Sequence, residues 1–130
     1  MTHPLIDRLT TEHGMPHLGD EAALASWLDR PGTHCLFVPG DPGRNLATTD
    51  AAVILPELRA AFQRAFDCAV VGDAIEAGLR ERAGVLKTPS LIFWRDGRCL
   101  GGIPKVRDWS DYLVRIPQII GPRAGDGEAA

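Results

Sequence analysis

With 130 residues, 45% hydrophobic and 24% charged, the chain has the composition of an ordinary soluble globular protein. It is long enough for one modest core and too short for two. A net charge of −3 gives nucleic-acid binding no global electrostatic support and suits a basic partner better. No apolar run approaches the roughly 18 residues needed to span a bilayer, and the N-terminus lacks the apolar core of a signal peptide. A cytoplasmic protein without membrane insertion is therefore expected.

Pro4 to Thr11 begins with a proline suited to a first helical turn and carries Leu5, Ile6 and Leu9 on one face. Gly14 ends it, and Met15 to Leu18 reads as a short first strand. Asp20 is placed to cap a helix running to Arg30, with Leu24, Trp27 and Leu28 spaced i, i+3, i+4. After Pro31-Gly32, the apolar run His34 to Val38 has the pattern of a central strand buried on both faces. Pro39 to Thr49 is a loop rich in Pro, Gly and Asn. Asp50 is the expected cap of the next helix, whose buried stripe is Ile54, Leu55, Leu58, Ala61, Phe62 and Phe66, and which Pro56 should kink.

Cys68 to Val71 reads as a third strand. Asp73 and Glu76 resemble a capping box for a helix to Ala83, weakened by Gly78. Ser90 to Trp94 and Arg98 to Ile103 flank Arg95-Asp96-Gly97, the pattern of an antiparallel hairpin. The last helix spaces Trp109, Tyr112, Leu113 and Ile116 at i, i+3, i+4, i+7 and should end or bend at Pro117. A domain over residues 1–120 and a disordered tail over 121–130 are expected.

The order αβαβαβαββα implies parallel pairs joined through helices, followed by an antiparallel hairpin. Individual residues sharpen this into a resemblance to thioredoxins. His17-Leu18-Gly19-Asp20 resembles their first strand-to-helix entry, Pro56 the proline that kinks their second helix, and Asp73 the residue after their third strand. Thr88-Pro89 resembles their cis-proline dipeptide, and Asp96-Gly97 the hairpin that follows. The expected fold is α/β, a three-layer thioredoxin-like fold with a mixed sheet, a C-terminal hairpin and an extra N-terminal helix. The resemblance puts the dithiol positions near Thr48 and Ala51, where there is no cysteine. It puts the buried acid that assists the thioredoxin thiol near Phe37 or Val38, where the chain is apolar.

A thioredoxin frame with a leading helix and no Cys-x-x-Cys is similar to the hydrogenase accessory proteins of the HyaE/HupG type. The likeness covers about residues 4–120. It rests on Asp41-Pro42 after the strand, the loop and strand from Val85 to Phe93, and the last helix with Trp109. It implies a non-catalytic chaperone for the small subunit of an uptake nickel–iron hydrogenase. Such a protein would bind the twin-arginine leader of the small-subunit precursor and delay export until maturation is complete. Other hydrogenase accessory proteins are further candidate partners. The rival reading is an atypical oxidoreductase using one thiol, with Cys99 its least unfavourable candidate. A bare scaffold is a third.

Candidate peptide-binding residues in this frame are Lys87, Thr88 and Pro89, beside which an extended peptide could make a short β-like pairing. Thr48, Thr49 and Asp50 lie near the empty dithiol loop, and Asp73 follows the third strand. Carboxylates suit arginine because guanidinium forks pair with them bidentately. The plainer role for Asp50, Asp73, Glu76 and Asp41 is helix capping and solvation, and for Pro89 the shaping of its loop. Cys35 and Cys68 fall on predicted core strands and read as small buried hydrophobes. His3, His13, His17 and His34 do not form a metal-binding pattern, since Gly14 and Pro16 keep His13 and His17 off a common helical face. The three tryptophans read as core. No cofactor is expected.

Overall fold

The order of strands across the sheet follows from which segments are apolar on both faces. A computed structural model of the chain describes residues 4–40, 47–63, 65–85, 87–105 and 107–121. Its elements are α1 (Pro4–Thr11), β1 (His17–Leu18), α2 (Glu21–Leu28), β2 (Thr33–Val38), α3 (Ala47–Ala61), β3 (Phe66–Val71), α4 (Asp73–Ala83), β4 (Ser90–Arg95), β5 (Arg98–Pro104) and α5 (Trp109–Ile120). The sheet order is β1-β3-β2-β4-β5. β3 pairs in parallel with β1 and β2, β4 runs antiparallel to β2, and β5 completes the hairpin. β2 is central, as its uninterrupted apolar run requires.

Period-two alternation divides the core into two layers. Cys35 and Phe37 face the side covered by α1, α3 and α5, where Leu9, Leu55, Leu58, Tyr112 and Ile116 pack. Leu36 and Val38 face the opposite side, against Leu24, Trp27 and Leu28 of α2 and Ile75 and Leu79 of α4. Asp96 (φ 53°) and Gly97 (φ 78°) both take positive φ, as a two-residue type I′ hairpin turn demands.

Several local expectations are corrected. Helix α3 starts at Ala47, so Asp50 sits within its first turn instead of capping it. A carboxylate there still complements the helix dipole. Gly72 is the N-cap of α4 and no side chain caps that helix, so the Asp73–Glu76 capping box does not form. Gly72 donates to the Leu18 carbonyl at 2.8 Å, which turns the chain one residue early. Glu76 pairs instead with Arg80, at 3.3 Å. Helix α5 continues through Pro117 to Ile120. Its buried stripe is Tyr112, Ile116 and Ile120, a phase that leaves Trp109 and Leu113 each 41% exposed. Of the tryptophans, Trp27 is core, Trp94 is half-buried and Trp109 is not core. Phe66 begins β3 and meets Phe93 edge-to-face at 5.2 Å, while Met15 precedes β1 fully buried. Asp41-Pro42 and residues 122–130 of the expected tail lie outside the described residues.

Three polar residues among those described are buried, His34, Thr48 and Ser90. His34 is fully buried on β2. Its Nδ1 lies 2.6 Å from an Asp67 carboxylate oxygen and its Nε2 lies 2.8 Å from the Arg30 carbonyl. Both partners are acceptors, so a neutral ring can donate to only one of them. Arg30 holds the other Asp67 oxygen at 2.5 Å, and its guanidinium lies 5.2 Å from the centre of the Trp27 ring. Trp27 in turn packs on the imidazole with ring centres 4.8 Å apart. The cluster fastens the end of α2 to the starts of β2 and β3. Asp67→Ala should therefore lower stability by about 1–3 kcal/mol, the cost of a buried polar group losing its partner. Arg8→Ala, which removes only the exposed Arg8–Glu12 pair, should change it by no more than about 1 kcal/mol. Urea denaturation of the two variants checks the contrast.

Candidate functional site

The carboxyl end of β2 runs into Pro39 and Gly40, and the entry to β4 brings Thr88 and Pro89 against them. The Thr88–Pro89 bond is cis. Gly40 has φ +73°, and a Cβ built there would lie 2.4 Å from Thr88 Oγ1 and 2.7 Å from Thr88 Cβ. Only glycine meets both demands, the positive φ and the missing side chain. Pro89 is buried, and its carbonyl accepts from the Lys105 amide at 2.7 Å. Lys87 is exposed and Thr88 half-buried, so the surface at this turn belongs to those two residues.

The other predicted residues separate. Thr48 is fully buried, and its hydroxyl donates to the Pro39 carbonyl at 2.7 Å. It anchors the start of α3 to the end of β2 and has no surface to offer a ligand. Ala51 is also buried, at 6% exposure. Thr49 is half-buried and Asp50 exposed on the first turn of α3. Asp73 is exposed at the start of α4 and lines a cleft of about 220 Å3. Asp50 lies outside that cleft, whose wall also includes Gly40, Pro39, Ile6, Asp7 and Thr10. Sequence reasoning missed Gly40 and Asp7. The Pro-Gly step directly after a buried strand was a usable signal for Gly40. Nothing local marks Asp7, an ordinary exposed residue of an amphipathic helix.

The thiols are far from activated. Cys35 and Cys68 are buried neighbours on β2 and β3. Burial pushes the Cys35 thiol well up, and its hydrogen bond with Cys68 pushes it further. Burial also raises Cys99, only partly offset by the Gly101 backbone. Raised thiols hold little thiolate and react slowly. Among the described residues, no group of three or more His, Cys, Asp and Glu side chains could hold a metal ion. No helix among them is long and apolar enough to cross a membrane.

With this geometry in view, the family described as Hydrogenase-1 expression protein HyaE matches residues 5–112. The chain belongs to that family. It is 64% identical over 119 residues to the hydrogenase expression/formation protein HupG of Rhodobacter capsulatus, covering 92% of this chain and 86% of that protein. It is 44% identical over 128 residues to HoxO of Azotobacter vinelandii, covering 98% and 83%. The solved structure of a hupG protein from Rhodopseudomonas palustris superposes with a TM-score of 0.58 at 37% identity, covering 81% of this chain and 94% of that one. Mitochondrial thioredoxin 3 of Saccharomyces cerevisiae superposes with a TM-score of 0.65 at 10% identity, covering 85% and 97%, a likeness of fold alone. This member of the HyaE family therefore has a thioredoxin-like α/β fold with an additional leading helix.

Two outcomes follow from the packing of the groove. Gly40→Ala should cost about 1–3 kcal/mol, as overpacking does, and should shift the amide resonances around Thr88. Denaturation together with a heteronuclear spectrum measures both. In the native protein, alkylation of Cys99 by iodoacetamide should be slow at neutral pH and accelerate only above the ordinary thiol range. A raised thiol loses its proton later than an exposed one, and the denatured chain should react sooner.

Proposed function

We propose that this protein is a non-catalytic chaperone of hydrogenase maturation, acting in the cytoplasm on the small-subunit precursor of an uptake nickel–iron hydrogenase. It holds the twin-arginine leader in the groove at Thr88 and Pro89 and so keeps the precursor from export until the subunit is ready. Other hydrogenase accessory proteins are further partners. The observation that carries this reading is a thioredoxin groove with no thiol at its dithiol positions. Thr48 is committed to holding Pro39, and Ala51 is packed in the core. On this reading the frame keeps its peptide groove without the thiols that would exchange a disulfide with the occupant. Membership of a family named for hydrogenase expression supplies the context.

Recognition combines two components. Lys87, Thr88 and Pro89 offer a turn beside which an extended segment can lie in β-like fashion. Asp50 and Asp73, exposed on the first turns of α3 and α4, attract its arginines. Thr49 lies at the margin of the same loop.

Titration calorimetry with the leader peptide and a scrambled peptide of the same composition tests the reading. The leader should bind more tightly. The double charge reversal Asp50→Lys with Asp73→Lys should weaken it, each exposed pair being worth about 0–1 kcal/mol, and added salt should weaken it further. Equal affinity for both peptides, combined with no binding of the full precursor, would overturn it. Replacing Cys35, Cys68 and Cys99 together by Ala should leave leader affinity unchanged while lowering stability, because the buried thiols pack the core. The wild-type protein should not accelerate insulin reduction by dithiothreitol. A thiol-dependent turnover lost in Cys99→Ser would establish the oxidoreductase instead.

A further inference from the structure

The extra helix does more than cover the sheet. Helix α1 meets the carboxyl ends of the parallel strands β1, β3 and β2, the edge at which open α/β sheets place their ligands. The cleft of about 220 Å3 opens there. Ile6, Pro39, Val70 and Val71 make its apolar walls, and Gly40 and Gly72 contribute backbone without side chains. Among the described residues, its polar lining is Asp7 and Thr10 from α1, His17 from β1 and Asp73 from α4, with no lysine or arginine. Carboxylates from two helices, Asp7 of α1 and Asp73 of α4, thus line an apolar slot together with the Thr10 hydroxyl and the His17 imidazole.

This lining selects for a cation on an aliphatic stem. The stem lies along the apolar walls and the charged head reaches the carboxylates. A guanidinium suits the arrangement better than an ammonium. Its planar fork carries five donors, pairs with carboxylates bidentately and is more weakly hydrated. The slot is also contiguous with the peptide groove. Gly40 lines the cleft and at the same time packs against Thr88 so closely that a Cβ would collide with it. Side chains of an extended strand alternate in direction, so a peptide lying along Thr88 can turn one of them into the cleft.

We propose that this cleft is the subsite for one arginine side chain of the extended peptide held at Thr88, and that α1 completes it through Asp7. The inference rests on the reading that the protein binds an arginine-bearing leader. It adds the location of one arginine and gives the leading helix a purpose.

A double-mutant cycle by titration calorimetry tests it with the full chain. The probes are the leader peptide and two variants in which one or the other arginine is replaced by Gln. Asp7→Asn should weaken wild-type leader binding by up to about fivefold, the scale of one exposed ion pair. Asp73→Asn should do likewise, and Asp7→Glu should recover part of the loss. For one of the two Gln peptides, Asp7→Asn should cause no further loss, because that arginine is the one it contacts. Asp7 is exposed, so the variant should fold, and thermal unfolding confirms this independently. Unchanged affinity in Asp7→Asn would overturn the subsite while leaving leader binding intact, and so would an equal loss for all three peptides. Failure of the wild-type protein to prefer the leader over either Gln peptide would overturn the leader reading itself, and the subsite with it.

Discussion

Everything in this fold is arranged around the burial of β2 on both faces. Phe37 and Leu36 point in opposite directions and neither reaches solvent, so a helical layer must cover each side of the sheet. β3 and β4 must also satisfy the hydrogen bonds of both its edges. Truncating a large side chain anywhere in these two layers would cost about 2–5 kcal/mol, a substantial part of a small domain's stability. The buried polar residue on the strand, His34, has an Asp67 oxygen 2.6 Å from one ring nitrogen and the Arg30 carbonyl 2.8 Å from the other. Its cluster stands at the amino end of β2, and the candidate site stands at the carboxyl end. The two requirements do not compete for the same residues.

At the carboxyl end the chain is shaped by close approach. Gly40 lets the segment after β2 touch Thr88, and Thr48 ties the start of α3 to Pro39. In this frame the position near Thr48 that could have carried a reactive group is spent on a structural hydrogen bond. The three cysteines lie elsewhere, Cys35 and Cys68 buried on β2 and β3 and Cys99 half-buried on β5.

The leading helix changes the character of this end of the sheet. Without α1, the ends of β1 and β3 beside Gly40 would form an open ledge. With it, Ile6 adds to the apolar wall and Asp7 lines the same cleft as Asp73. Arg59, donating to the His13 carbonyl at 3.1 Å, ties α3 to the turn after α1 and keeps the helix in position.

The fold class was legible in the residues because it depends on local periodicity and turn chemistry. The apolar run at His34–Val38 has the pattern of a central strand, Asp96-Gly97 closes a tight hairpin, and Thr88-Pro89 marks the turn into β4. The absence of a dithiol is likewise a property of the sequence alone. Local signals misplaced features that depend on neighbours in space. Trp109 and Leu113 fit a buried helical stripe by spacing, but the sheet accepts the stripe through Tyr112, Ile116 and Ile120. Asp50 and Asp73 looked like caps, but α3 already begins at Ala47 and the N-cap of α4 is Gly72. The candidate site shows the same division. Thr88 and Pro89 are named by their own sequence. Asp7 and Asp73 become neighbours of one cleft only because parallel strand order brings α1, β1, β2 and α4 to one edge. No spacing along the chain encodes that edge, since residues 66 positions apart meet there through the topology of the sheet.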